Sequence, residues 1–253
     1  MTREPDARAT MREFWDQKAR ENATYYISSY RDYDRQDEAE FWSWGERLAD
    51  RFLEESGLTF TGSERVLEIG CGIGRMTRPL AQRFREVVGL DVSEEMVRRA
   101  REALDRFPNA RAEVVNGIDL AGLSDASFDF VFSYLVLQHV PDPGIVRGYL
   151  REIGRVLAPG GAFHVQVNGE AAPARRSLAS RMRARLARTL HALAPRARSG
   201  PRGLDSPAWR GCRVPLPVAR EFCRDAGLTL DRTSGEGTQY LWLTGHRPAP
   251  SPR

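Results

Sequence analysis

The residues best placed for chemistry are three glycines and two acids on a pair of short apolar runs. Val66-Leu67-Glu68-Ile69 reads as a buried strand that breaks into Gly70-Cys71-Gly72-Ile73-Gly74 and then into a helix from about Arg75. Val87-Val88-Gly89-Leu90 reads as a second strand, ending on Asp91. Glycines between a strand and a helix let the backbone turn tightly and approach a ligand closely, because no side chain intervenes. The free N–H groups and positive dipole end of the following helix suit a carboxylate or a phosphate. Asp91 follows the glycines by roughly twenty residues, where an acid at a strand end can take both hydroxyls of a ribose. Together these features point to a nucleoside that carries an anionic group.

The even spacing of Gly70, Gly72 and Gly74 departs from the dinucleotide fingerprint, which has two residues between its second and third glycines, and no lysine follows to make a P-loop. Val-Leu-Glu-Ile-Gly-Cys-Gly-Ile-Gly-Arg, with Gly-Leu-Asp-Val-Ser downstream, instead resembles the first two motifs of class I S-adenosylmethionine (SAM) methyltransferases. Ser127-Phe128-Asp129-Phe130-Val131-Phe132-Ser133, followed by Gln138-His139-Val140, is similar to a later run of that family, as is Leu150 to Gly161 with its Pro-Gly-Gly turn. The resemblance implies an α/β, Rossmann-like seven-stranded sheet with its last strand antiparallel. It also implies SAM as cofactor and S-adenosylhomocysteine as product. Resemblance and spacing together assign Glu68, Gly70, Cys71, Gly72 and Asp91 to SAM, with Val92 and Met96 against the adenine. The loop Asn116-Gly117-Ile118-Asp119 should hold the adenine edge. The usual family pattern has an acid directly after this glycine; here Ile118 stands there, which leaves the contact open between the Gly117–Ile118 backbone and the Asp119 carboxylate. In the family the residues just past strand four line the space beside the methyl group, which brings in Tyr134, Gln138 and His139.

Several elements must position these residues. Phe14, Trp15, Lys18, Ala19, Ala23, Tyr26 and Ile27 recur at helical spacing from Met11 to about Tyr30, and a second helix is expected over Glu38 to Ser56. Residues 1 to about 10 are polar and expected to be disordered. The leading region is rich in rings, and its Trp-Asp-x-x-Ala-Arg-Glu-Asn-x-x-Tyr-Tyr-Ile run is similar to the N-terminal segment of many bacterial methyltransferases. That likeness makes Tyr25 and Tyr26 candidates for a lid over the cofactor. Residues 111–115 read as the third strand, Ser127–Ser133 as the fourth and Ala162–Val167 as the fifth; a helix over Val218–Ala226 and a hairpin of Leu228–Thr233 with Gln239–Thr244 close the sheet. The chain divides into a helical cap (1–57), a SAM-binding core (58–170), an Arg-rich helical insertion (171–210), and a C-terminal completion of the sheet with a tail (211–253).

The acceptor is read from the insertion, the aromatic front and one acid. Arg175, Arg176, Arg181, Arg183, Arg185, Arg188, Arg196, Arg198 and Arg202 occur with no acid between Glu170 and Asp205. Their forked hydrogen bonds suit phosphate or diphosphate, although 37 of the 38 basic residues of this 253-residue chain are arginine and Lys18 is its only lysine. Glu170, at the carboxyl end of strand five, is a candidate base, and His139 competes with it. Tyr25, Trp44, Gln138, Arg176, Arg202 and Trp209 are the candidate acceptor contacts. The favoured expectation is C-methylation of a prenyl diphosphate such as geranyl diphosphate, with a carboxylate base, and Mg²⁺ as a companion to the diphosphate. An O- or N-methyltransferase tailoring a sugar or another natural product is the alternative, and an RNA methyltransferase ranks below both. A net charge of +4, no apolar run of membrane-spanning length, no signal-type N-terminus and three cysteines without metal or disulfide spacing suggest a cytoplasmic protein with no membrane or nucleic-acid partner and no resident metal site.

Overall fold

The computed structural model describes residues 7–28, 33–34, 37–170 and 201–250, with the side chains of 7–9 excluded. A seven-stranded sheet is its backbone: β1 (Arg65–Ile69), β2 (Glu86–Asp91), β3 (Ala110–Val114), β4 (Phe128–Ser133), β5 (Leu157–Val167), β6 (Thr229–Ser234) and β7 (Leu241–His246). Their spatial order is β3-β2-β1-β4-β5-β7-β6. The first five pair in parallel, and β7 runs antiparallel to both neighbours. This is the expected sheet. The order reverses between β1 and β4, so a crevice opens beyond the carboxyl ends of β1, β2 and β4.

Helices α1 (Ala7–Ser28) and α2 (Glu38–Ser56) lead the chain, and α3 (Thr77–Ala81), α4 (Glu94–Leu104), α5 (Pro143–Val156), α6 (Pro207–Arg210) and α7 (Leu216–Asp225) follow. Their starts are chemically marked. Asp37, Ser93 and Asp142 accept hydrogen bonds from Glu40 N, Met96 N and Gly144 N at the openings of α2, α4 and α5. The long apolar β4 and β5 put Phe128, Val131, Phe163 and Val165 against Val146, Tyr149, Leu150 and Ile153 of α5. On the opposite face Phe52 of α2 packs on Phe132 and Trp242.

Four sequence expectations shift. The first helix begins at Ala7, inside the stretch expected to be disordered, and it breaks at Asn22 (φ −168°, ψ 80°), whose Oδ1 accepts from Tyr25 N and restarts the helix. The helix after the glycines begins at Thr77 rather than about Arg75, because Gly72 and Gly74 hold positive φ values of 54° and 87°. It is five residues long, too short for its peptide dipoles to sum into a strong anion site. Strand five begins at Leu157, not Ala162; a register shift between Phe128 and Phe130 absorbs the Pro-Gly-Gly turn as a bulge inside the strand. The C-terminal helix runs two residues earlier than read at its start, from Leu216. The insertion helix expected within 171–200, Arg176 included, lies outside the described residues.

Candidate active site

The crevice at the β1–β4 reversal is built by turns that only certain residues can make. Gly70 has φ 80°, and a β-carbon there would lie 2.0 Å from Val136 Cγ2. A β-carbon on Gly72 would lie 3.2 Å from Ile27 Cγ2. Bare backbone is therefore required at both positions, with Val136 and Ile27 lying over the turn. Leu135, the residue before Val136, adopts a left-handed φ of 59° although it is not glycine. Such strain persists where surroundings enforce it; Gln166 Oε1 accepts from Leu135 N at 3.2 Å. The bend sends the chain from β4 across Gly70 and into the 3₁₀ turn Leu137–His139.

Two carboxylates, Glu68 buried and Asp91 half-buried, face this inner pocket. Glu68 accepts a 2.6 Å hydrogen bond from Thr77 Oγ1, and burial pushes its carboxyl up to about 8, against the opposing effects of Thr77 and Arg75. Asp91 accepts from Gly72 N at 3.0 Å and from Ser93 N at 2.9 Å, and burial raises it to about 6 despite those bonds. Met11, Trp15, Tyr26 and Ile27 of α1, with Val92, Met96, Val115 and Tyr149, complete an apolar wall.

Of the residues assigned to SAM from the sequence, Tyr26, Glu68, Gly70, Cys71, Gly72, Asp91, Val92, Met96 and Tyr134 come together around this pocket. Gly117, Ile118 and Asp119 do not line it. Asn116 Oδ1 accepts from Ile118 N and Asp119 N, and the Asp119 carboxylate is engaged by Asn116 Nδ2 and Ala121 N. Met11, Trp15, Ile27, Arg75, Val136 and Tyr149 are among the lining residues that the sequence left unassigned; of these six only Arg75, directly after the glycines, carried a positional signal.

His139 lies in the wall shared by the inner pocket and an outer one, lined by Leu135, Gln138, Asn168, Glu170, Trp209, Arg210, Arg213 and Tyr240. Its Nδ1 makes a short hydrogen bond with the carbonyl of Trp209. A carbonyl only accepts, so Nδ1 carries the proton and Nε2 is the free base. Burial lowers the imidazole to about 4, so the ring is neutral in ordinary buffers. Trp15 and Trp209 pack on it with centroids at 5.5 and 5.0 Å. The strand-like segment after α6 holds this geometry: Cys212 N donates to Val140 O and Val214 N to Asn168 O. A β-carbon at Gly211 would lie 1.8 Å from the carbonyl oxygen of Gln138.

The remaining candidates are dispersed. Glu170 lines the outer pocket only, where its Oε2 pairs with Arg213 Nε at 3.2 Å. Tyr25 packs edge-on against Tyr26 and Tyr33 and lines neither pocket. Trp44 lies on an outer face of α2 beneath the Arg47 guanidinium. Arg202 meets Tyr26 through its backbone, its N–H donating to the phenol oxygen at 2.9 Å. Among the described residues no cluster of three His, Cys, Asp or Glu side chains could hold a metal ion, and no helix is long and apolar enough to cross a membrane.

The inner pocket suits SAM on its donor set. Two acids, one of them buried, would face a ligand whose sulfonium and ammonium make it net positive, bare glycine backbone would admit its tail, and apolar walls flank the acid that would take a ribose. Residues 67–165 match a family described as a methyltransferase domain, and the sheet order is the fold of the class I SAM-dependent methyltransferases. The chain is 37% identical over 108 residues to a demethylmenaquinone methyltransferase of Tropheryma whipplei, covering 43% of each chain. It is 36% identical over 98 residues to a ubiquinone biosynthesis O-methyltransferase of Xanthomonas oryzae pv. oryzae, covering 38% of this chain and 40% of that one. The chain thus spans less than half the length of these curated relatives. In fold it is similar to the [4+2]-cyclase SpnF (TM-score 0.64, 16% identity, 97% of both chains). It is likewise similar to a Haemonchus contortus phosphoethanolamine N-methyltransferase (TM-score 0.62, 18% identity, 98% of this chain and 50% of that one).

Proposed function

We propose that this chain is an enzyme that transfers the methyl group of SAM to a hydroxyl of a small molecule with an apolar body and an anionic group. The observation that carries the reading is His139: this one residue borders both pockets, its tautomer fixed by the Trp209 carbonyl so that Nε2, faced by the Gln138 amide in this structure, holds the lone pair of a base. SAM supplies an already activated methyl, so positioning and proton removal are the protein's main tasks. Glu68 and Asp91, with the Gly70–Gly72 backbone, would hold the cofactor. His139 Nε2 would take the hydroxyl proton. An imidazole titrating near 4 suffices, because the attacking hydroxyl becomes strongly acidic as its new bond to carbon forms. Trp15 and Trp209 would flank the acceptor's apolar body, and Arg210 and Arg213 would meet its anionic group at the rim.

C-methylation of a prenyl diphosphate is the second reading, favoured by the rings of Trp15, Tyr26 and Trp209 and by the two rim arginines. It needs a carboxylate base beside the methyl, and Glu170 stands instead at the outer rim, paired to Arg213. Labelled-methyl transfer across hydroxylated aromatic acids and prenyl diphosphates separates the two. In His139→Gln, turnover of a hydroxyl acceptor should fall by about 10² or more while affinity for S-adenosylhomocysteine stays within threefold. A loss under tenfold would remove His139 as the base. At saturating cofactor, wild-type kcat should stay flat from pH 8 down to about 5, since the imidazole is neutral throughout.

A further inference from the structure

Gln138 has no part in the scheme above, yet its side chain is 7% exposed and lines the outer pocket. Its amide lies 3.2 Å from His139 Nε2. Because that ring nitrogen is the unprotonated one, the Gln138 amide N–H must face it, which turns Oε1 elsewhere. Oε1 is buried and has no hydrogen-bond partner. A buried carboxamide oxygen without a donor is costly, and this one belongs to a residue that lines the outer pocket, where a turn of the side chain would let an incoming molecule supply the donor.

Geometry limits what that molecule is. The oxygen and nitrogen of one carboxamide are about 2.3 Å apart, so Oε1 lies within about 5.5 Å of His139 Nε2. Two acceptors that close are matched by two donors on adjacent atoms of one ligand. We propose that Gln138 is a specificity-determining residue that selects acceptors whose reacting hydroxyl is flanked by a second O–H or N–H donor, as in a catechol-type diol or an aminophenol. The inference rests on the O-methylation reading. On binding, the reacting hydroxyl displaces the Gln138 amide from His139 Nε2, and the neighbouring donor goes to Oε1. The acceptor oxygen then bonds to the methyl carbon as the carbon–sulfur bond breaks, its electron pair remaining on sulfur, and the hydroxyl proton passes to Nε2. An acceptor with a methoxy group in place of the second hydroxyl leaves Oε1 without a donor, the situation in which polar sites discriminate most strongly.

The test uses catechol and 2-methoxyphenol as probes and the full chain with S-adenosylhomocysteine bound. Calorimetry should show wild type binding catechol at least about tenfold more tightly, the worth of one such hydrogen bond. Gln138→Leu should reduce that preference to within about twofold, whereas Gln138→Glu, which keeps acceptor oxygens, should retain it. Unchanged affinity for S-adenosylhomocysteine in both variants shows that they fold. A wild-type protein that does not separate the probes, or a preference that survives in Gln138→Leu, overturns the inference. Labelled-methyl transfer is followed in parallel with SAM. Donor-selective binding without labelled product would refute the O-methylation reading and leave the selectivity of Gln138 standing.

Discussion

Cofactor binding should be linked to proton release at Glu68, and the size of that linkage follows from the pocket. Burial holds the Glu68 carboxyl near 8, so at pH 7 it is protonated in about nine of ten molecules. Glu68 and Asp91 are the only acids among the described residues lining the inner pocket. A ligand bearing a sulfonium and an ammonium favours their ionised forms. Binding at pH 7 should therefore expel about 0.9 proton from Glu68, and the dissociation constant should fall about tenfold per pH unit between pH 6 and 8. Below about 6 the Asp91 proton joins it and the dependence steepens. Titration calorimetry in two buffers of different ionisation enthalpy reads this directly, as an apparent enthalpy that differs by about 0.9 of the difference between the buffers.

Glu68→Gln should make the pH 7 enthalpy nearly independent of buffer and flatten the affinity between pH 6 and 8. 5′-Methylthioadenosine, which keeps the ribose but lacks both positive groups, should release little at pH 7 from the wild type. The same protonation affects folding. A carboxyl raised in the native state contributes stability that is complete below about 4.5 and lost as pH climbs through 8. The stability difference between wild type and Glu68→Gln should accordingly change by about 2.5 kcal/mol from pH 5 to 7, read from urea midpoints. A buffer-independent wild-type enthalpy, or parallel stability profiles for the two proteins, would refute the reasoning.

Two further substitutions probe what surrounds the site. Gly211→Ala forces a β-carbon against the Gln138 carbonyl at a residue with φ 59°; it should cost about 2–3 kcal/mol in urea titration and lower turnover more than affinity for S-adenosylhomocysteine. Unchanged turnover would show that this segment does not hold His139. Tyr26→Phe removes a hydroxyl that contacts Glu21 Oε1 at 2.8 Å and accepts from Arg202 N at 2.9 Å. It should destabilise by about 1–2 kcal/mol and speed cofactor release in stopped-flow displacement; an unaltered rate would refute a lid role for the end of α1.

The contrast between what the sequence disclosed and what it concealed has a physical basis. The inner pocket was legible because it is built locally: Gly70 and Gly72 must be glycine for the turn, and Glu68 and Asp91 lie at the carboxyl ends of neighbouring strands that pair in register, Glu68 opposite Gly89 and Ile69 opposite Leu90. The outer pocket is assembled by groups that carry no residue signature. A backbone carbonyl at Trp209 fixes the tautomer of His139, seventy positions away in the chain, and any residue type offers the same carbonyl. Met11, Ile27, Val136 and Tyr149 look like ordinary core because apolar walls of a pocket and of a core have the same composition. Glu170 is a visible candidate base because a strand-end acid can be read in sequence, whereas its pairing with Arg213 shows only in the fold. The sequence brought Gln138 in as a candidate acceptor contact, but its unpartnered oxygen shows only in three dimensions, because the orientation of its amide follows from its neighbour's tautomer, and that tautomer is set by a peptide group on a different element. The selectivity proposed for the acceptor thus depends on the segment that closes over the turn after β4, which makes residues 207–214 the stretch whose exchange should redirect acceptor choice while leaving the cofactor site alone.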